Sequence, residues 1–237
     1  MKLKILSMYP DLLNMYGDIG NVKILKRRAE KRGIETELCT LSAGQPFPAD
    51  ADIIMLGAGQ DFEMHIVLED MRGEKKEALR AYIEDGGVFL AVGTGFQLLG
   101  TAFVSGEGET REGLGILPVV TEPSDVRFVG NIAAEIDGVR AVGFENHAGC
   151  TRIGNLKPLG HVLSGHGNNG EDGNEGARYK NTVCTFFHGP FLSKNPEQAD
   201  KLLLSALQRK YKIDALESLD DTYEYRAKET ILSKLGL

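Results

Sequence analysis

The chain has 237 residues, 42% of them hydrophobic, and its 27 Lys and Arg against 34 Asp and Glu give a formal charge of −7. That length and apolar content suffice to bury an α/β core in a single domain, 1–237. An acidic chain without a basic cluster lacks the Lys and Arg that displace counterions from a phosphate backbone, so no nucleic-acid partner is expected.

The first half alternates strand and helix signals. Leu3 to Met8 reads as a strand, and Asn21 to Arg32 as an amphipathic helix with Val22, Ile24, Leu25 and Ala29 apolar, closed by Gly33 as a C′ glycine. Ile34 to Cys39 and the wholly apolar Ile53 to Leu56 are the second and third strands. Lys75 to Ile83 is helical and stops at Gly86-Gly87; Val88 to Val92 is the fourth strand, and Phe96 to Leu99 the first turn of a helix. Short links between such elements predict a mostly parallel central sheet with helices on both faces.

From about Leu114 to Val162 the pattern changes. Runs such as Ile116–Val120 and Ala141–Phe144 between turn residues predict added antiparallel strands. Residues 165–176, rich in Gly, Asn and acids, read as a flexible surface loop; their spacing fits neither an EF-hand nor a nonapeptide repeat, so no metal is expected. Asn181 to Phe187 is another strand, ending at His188-Gly189-Pro190. Asn195 reads as the cap of a helix with Pro196 at its first position and a stripe of Ala199, Leu202, Leu203, Ala206 and Leu207. A last helix covers Thr222 to Leu235.

The N-terminal run stopped by Pro10 is too short for a signal peptide, and nothing approaches the ~20 apolar residues of a membrane span. Cys39, Cys150 and Cys184 are odd in number and form no C-x-x-C pair, which suits reduced thiols. A cytoplasmic protein is expected.

Ligands of open parallel sheets sit at the carboxyl ends of the strands. Three features meet there: the turn Gly93-Thr94-Gly95 after the fourth strand, Gly57–Asp61 after the third, and His188. The first has the small residues of a strand-to-helix elbow, whose central residue is held exposed beside backbone N–H groups that stabilise an oxyanion. At its centre stands Gly93, which has no side chain to attack anything. Gly59 is a candidate for a second oxyanion N–H.

The run Ala91-Val92-Gly93-Thr94-Gly95-Phe96-Gln97-Leu98-Leu99-Gly100, with Thr185–Pro190, resembles the class I glutamine amidotransferases of the cobyric acid synthase type. Tyr16–Asn21, Gly143–His147, Gly167–Asn169 and Tyr179–Asn181 narrow the resemblance to a branch of glutaminase subunits that serve Gram-positive cell-wall synthesis. It implies that a Cys thiolate attacks the side-chain amide of L-glutamine, forms a thioester and releases ammonia, with a His as base and then acid. It further implies a heterodimer with a Mur-ligase-like subunit that uses ATP and Mg and amidates the D-glutamate of lipid II. This chain would need no cofactor, span no membrane, and act at the inner membrane face through that partner.

Carried onto this sequence, the resemblance gives Gly93 the nucleophile's place and His188 the base's. Gln97, Thr94 and Gly59 belong to the glutamine pocket, and Arg127 is a fork for the α-carboxylate. Many relatives place a Glu two residues after the His; here that residue is Pro190, which leaves Asp18 or Glu145 as the acid that orients His188.

No other residue readily replaces the nucleophile: Thr94 is off the apex, Cys184 would lie ~13 Å from His188 along one strand, and Cys150, in a loop after His147, is either near the site or, the favoured reading, a surface or half-buried thiol. Three accounts of Gly93 stand open, namely an active-site variant of an active family, a natural pseudo-glutaminase, or a sequence error. Retention of the other pocket residues favours the first. The competing functions are a non-catalytic scaffold for the ligase and the amidotransferase part of a cobyrinic acid amidating enzyme, although the chain has no phosphate-binding Gly-x-x-x-x-Gly-Lys-Ser/Thr loop.

Overall fold

A computed structural model describes residues 1–105 and 108–237. In chain order the elements are β1 (Lys2–Met8), α1 (Ile19–Glu30), β2 (Glu35–Leu41), β3 (Ile53–Leu56), α2 (Asp61–Met71), α3 (Glu74–Glu84), β4 (Val88–Val92), α4 (Thr94–Leu98), β5 (Ala102–Val104), β6 (Thr110–Glu112), β7 (Val120–Ile136), β8 (Val139–Arg152), β9 (Gly160–Ser164), β10 (Asn174–Glu175), β11 (Ala177–Tyr179), β12 (Thr182–Thr185), α5 (Pro196–Tyr211) and α6 (Thr222–Lys234).

The central sheet has the order β11-β12-β4-β3-β1-β2, parallel throughout except for the antiparallel edge strand β11. Its inner strands are apolar on both sides because both faces are covered. Leu3, Ile5, Ile53, Met55, Val88, Leu90 and Val92 pack with α1 and α5, while Leu6, Met8, Ile54, Leu56, Phe89 and Ala91 pack with α2, α3 and α4. Each fully buried side chain of this kind contributes about 1.5–3 kcal/mol, which fixes strand register at the end where the site is built.

The middle of the chain is a second six-stranded sheet, ordered β10-β9-β7-β5-β6 with β8 paired to β7. Instead of short strands at 116–120 and 141–144, β7 and β8 form one long hairpin, and Ile116 to Val119 precede it as irregular core residues. Asp137-Gly138 makes its turn with both φ positive, 51° and 77°, the primed turn that suits twisted strands.

The segment expected as a flexible surface loop, 165–176, is exposed at 165–166 and 170–173 but anchored in between and at its end. Asn168, Asn169 and Glu175 are buried, and Asn174–Glu175 pair with β9. The segment is tied by its own side chains: Asn169 Oδ1 accepts the Glu171 and Asp172 N–H groups. Two local readings also change. Helix α1 ends at Glu30, so Gly33 (φ 69°) lies beyond the C′ position. The Asn195 side chain does not cap α5 but ties to β8, accepting the Val142 N–H at 2.9 Å and donating to its carbonyl at 2.8 Å. The stripe of α5 is buried as expected, and no helix among the described residues is long and apolar enough to cross a membrane.

Candidate functional site

Strand β4 delivers the chain to Gly93, whose N–H donates to the Thr185 carbonyl of β12 at 2.8 Å. Gly93 adopts φ 56° and ψ −121°, a conformation costly for any residue with a Cβ. Helix α4 starts at the next residue, so the Thr94 and Gly95 amides lie in its first turn without intrahelical acceptors, suited to a developing oxyanion. A Cβ placed on Gly93 would lie 2.5 Å from His188 Cε1, 3.0 Å from its Nε2 and 3.1 Å from the Ala58 Cβ. The side chain missing at the elbow is one that would point straight at the imidazole.

His188 leaves the central sheet after β12 and is captured by the second sheet, its N–H donating to the Phe144 carbonyl at 2.8 Å. The ring is 98% buried, with Tyr16 tilted over it at 4.3 Å between centroids. Its Nδ1 is 3.8 Å from Asp18 Oδ1, too far for a hydrogen bond. Asp18 is itself fully buried, and its other oxygen accepts the Ala58 N–H at 2.9 Å. The Tyr16–Asn21 motif is thereby accounted for: Tyr16 covers His188, Asp18 faces it, and Asn21 accepts the Leu192 N–H at 2.9 Å.

Gly59, Gly93, Thr94, Gln97, Arg127 and His188 line one cleft of about 320 Å³. Arg127 donates through Nε to Asn146 Oδ1 at 2.8 Å, leaving its terminal nitrogens for an anion. Gln97 is buried in the wall, its amide 3.4 Å from the Ala148 carbonyl.

Two expectations fail. The Gly59 N–H is not open to an oxyanion, because it donates to Thr94 Oγ1 at 2.8 Å while that hydroxyl donates back to the Gly59 carbonyl. The same pair occupies the Thr94 hydroxyl as both donor and acceptor. Nor does Glu145 orient His188. Its buried carboxylate instead accepts the N–H groups of His166 and Gly167 and sits 2.8 Å from the His166 ring nitrogen. Cys184 is fully buried, and burial pushes its thiol pKa up. Cys150 points at the Asn169 carbonyl and does not line the cleft.

The sequence reading missed His147, which lines the cleft with its ring stacked on Phe186 at 3.9 Å. Neither ring nitrogen has a hydrogen-bond partner among the described residues. Burial, with His188 nearby, pushes its pKa down to about 3, so the ring is neutral. Its place in the Gly143–His147 motif was the only signal.

Residues 4–196 match the CobB/CobQ-like glutamine amidotransferase domain. The chain is 41% identical to the lipid II isoglutaminyl synthase (glutamine-hydrolyzing) subunit GatD of Streptococcus pneumoniae, over 89% of this chain and 82% of that one. It is 38% identical to the Staphylococcus aureus protein of the same description, over 98% and 96%. A cobyric acid synthase of Sphingopyxis alaskensis is 27% identical over 86% of this chain but only 42% of its own length. The fold is shared with a glutamine amidotransferase crystal structure (TM-score 0.56, 17% identity, 85% of this chain and 98% of that one). It is also shared with the glutaminase domain of Trypanosoma brucei CTPS with bound acivicin (TM-score 0.55, 12% identity, 90% and 96%). With the elbow, the strand-end histidine and the cleft between them in place, the chain belongs to the CobB/CobQ-like glutamine amidotransferase family.

Proposed function

We propose that this chain is the glutamine-handling subunit of a two-component enzyme that amidates the D-glutamate of lipid II, and that with Gly93 it releases no ammonia itself. The substrate class rests on the two GatD relatives, each matched over most of its length. The observation that carries the chemistry is the aim of the missing Gly93 side chain at His188, inside a cleft that keeps Arg127 and Gln97.

With a thiol at 93, the thiolate attacks the glutamine δ-carbonyl carbon, and the Thr94 and Gly95 amides hold the oxyanion. The carbon–nitrogen bond breaks, His188 protonates the departing ammonia, and a thioester remains. Water, deprotonated by His188, then splits the thioester to glutamate and restores the thiol. Arg127 pairs with the α-carboxylate. Ammonia passes to a Mur-ligase-like partner, which holds the ATP, the Mg and the lipid-linked substrate at the inner face of the membrane; this chain needs no cofactor. With glycine at 93 the first bond cannot form.

A second reading, a scaffold that binds the ligase without hydrolysis, is favoured by one observation: His188 occupies volume that a nucleophile's Cβ would need. Ammonia release from glutamine, measured for this chain and for Gly93→Cys with and without the partner, separates the two. Activity in Gly93→Cys alone supports the glutaminase reading. Silence from both, even with the partner, supports the scaffold. Activity in the chain as it stands overturns the assignment of position 93.

A further inference from the structure

Strand β12 ends at Thr185, and the backbone beyond it needs new acceptors for the N–H groups of Phe186 and Phe187 before reaching His188. One residue of β10, the buried Glu175, answers that need. Glu175 Oε1 accepts the Phe186 N–H at 2.9 Å and the Thr185 hydroxyl at 2.6 Å. The Thr185 Oγ1 in turn accepts the Phe187 N–H at 3.0 Å. The Thr185 carbonyl holds the Gly93 N–H, and the Phe186 ring carries His147.

Glu175 is completely buried, its Oε2 has no hydrogen-bond partner among the described residues, and it is not part of the cleft lining. A carboxyl kept so far from water is costly unless hydrogen bonds compensate it, and those it accepts come from Thr185 and Phe186. Burial raises its pKa to about 7, with the nearby Glu145 adding to the rise against the hydrogen bonds from Thr185 and Phe186.

We propose that Glu175 is a positioning residue: through Thr185 and Phe186 it sets how the strand carrying His188 meets the Gly93 elbow. Its consequence for catalysis rests on the proposed roles of positions 93 and 188; its structural role does not. Shifting either partner by an ångström is enough to cost about 100-fold in rate.

The test has two arms. In the chain as it stands, amide hydrogen exchange is compared with Glu175→Ala, Glu175→Gln and Thr185→Val. Glu175→Ala and Thr185→Val are expected to speed exchange at Phe187 and Gly93 by about tenfold or more, with Ile5 and Ser7 of β1 unmoved. Glu175→Gln, which keeps the acceptor, restores slow exchange. In the Gly93→Cys background, Glu175→Ala is expected to lower kcat about tenfold or more with KM within about twofold, and Glu175→Gln to recover it.

Unchanged exchange at Phe187 and Gly93, a uniform rise that includes β1, or an unchanged kcat overturns the proposal. Should Glu175→Ala not fold, Thr185→Val decides by the same criteria. Should Gly93→Cys release no ammonia, the glutaminase reading fails, while the exchange arm still judges Glu175.

Discussion

Asp18 and His188 face each other across 3.8 Å, each with a buried polar atom, Oδ1 and Nδ1, that has no hydrogen-bond partner among the described residues. An unmade bond between two such groups is expensive. A side chain at 93 would have to displace the imidazole, since its Cβ falls 2.5 Å from the ring. Displacement toward Asp18 would close the gap to hydrogen-bond length and orient the ring. In the Gly93→Cys background, Asp18→Asn is therefore expected to lower kcat for ammonia release by about 100-fold with little change in KM. Steady-state kinetics checks it, and a loss below about threefold removes Asp18 from the machinery.

The elbow's geometry makes a separate prediction about stability. At φ 56° and ψ −121°, glycine escapes a strain that any Cβ brings. Gly93→Cys and Gly93→Ala are both expected to lose about 1–3 kcal/mol in urea unfolding, while only the Cys variant acquires glutaminase activity. Equal stability in all three proteins contradicts the strain argument.

His147 predicts acid sensitivity. Its ring stays neutral in the folded chain down to about pH 3, whereas unfolded histidine takes up a proton near 6.5. Stability is thus unaffected by this group above pH 6.5 and declines as pH falls from 6.5 toward 3, by up to about 5 kcal/mol at about 1.4 kcal/mol per unit. His147→Phe, which keeps the stack on Phe186, is expected to flatten that slope in unfolding measured between pH 4 and 7. An unchanged slope assigns the sensitivity elsewhere.

The C-terminal segment is tied down by Arg28, whose guanidinium donates to Asp200 at 2.7 and 2.8 Å and to both carboxylate oxygens of Asp221. Arg28→Ala leaves Asp221, whose side chain is only 11% exposed, and the nearby Asp200 without that cation. It is expected to cost about 3 kcal/mol and to raise hydrogen exchange first in α6. Exchange that rises equally in α6 and β4 would show a global effect instead.

Much of the central sheet was legible because β3 and β4 are continuous apolar runs bounded by glycine or turn residues, a pattern only a doubly covered strand needs. The long hairpin was not, although Asp137-Gly138 is a strong short-range hairpin signal between alternating runs. Helix α2 was hidden behind the glycines before it; its buried Met64, Val67, Leu68 and Met71 lie at helical spacing beside the exposed Phe62. At the site, Gly93 and His188 were legible because a strand end is a local feature. The fate of the Gly59 N–H and of Glu145 was not, since each is decided by a partner, Thr94 or the 166–167 turn, brought up by tertiary folding.

His188 hangs from one sheet by its strand and is clasped by the other through Phe144. The cleft is therefore a seam between two sheets that share their core. Parting the sheets by even a residue's width would pull the imidazole off the elbow and open the core that Val88, Leu90 and Val92 share with Ile132, Ala134 and Ala141. Any chain that holds the site has, by that fact, its two sheets docked, so glutamine binding reports on the assembly of the whole fold.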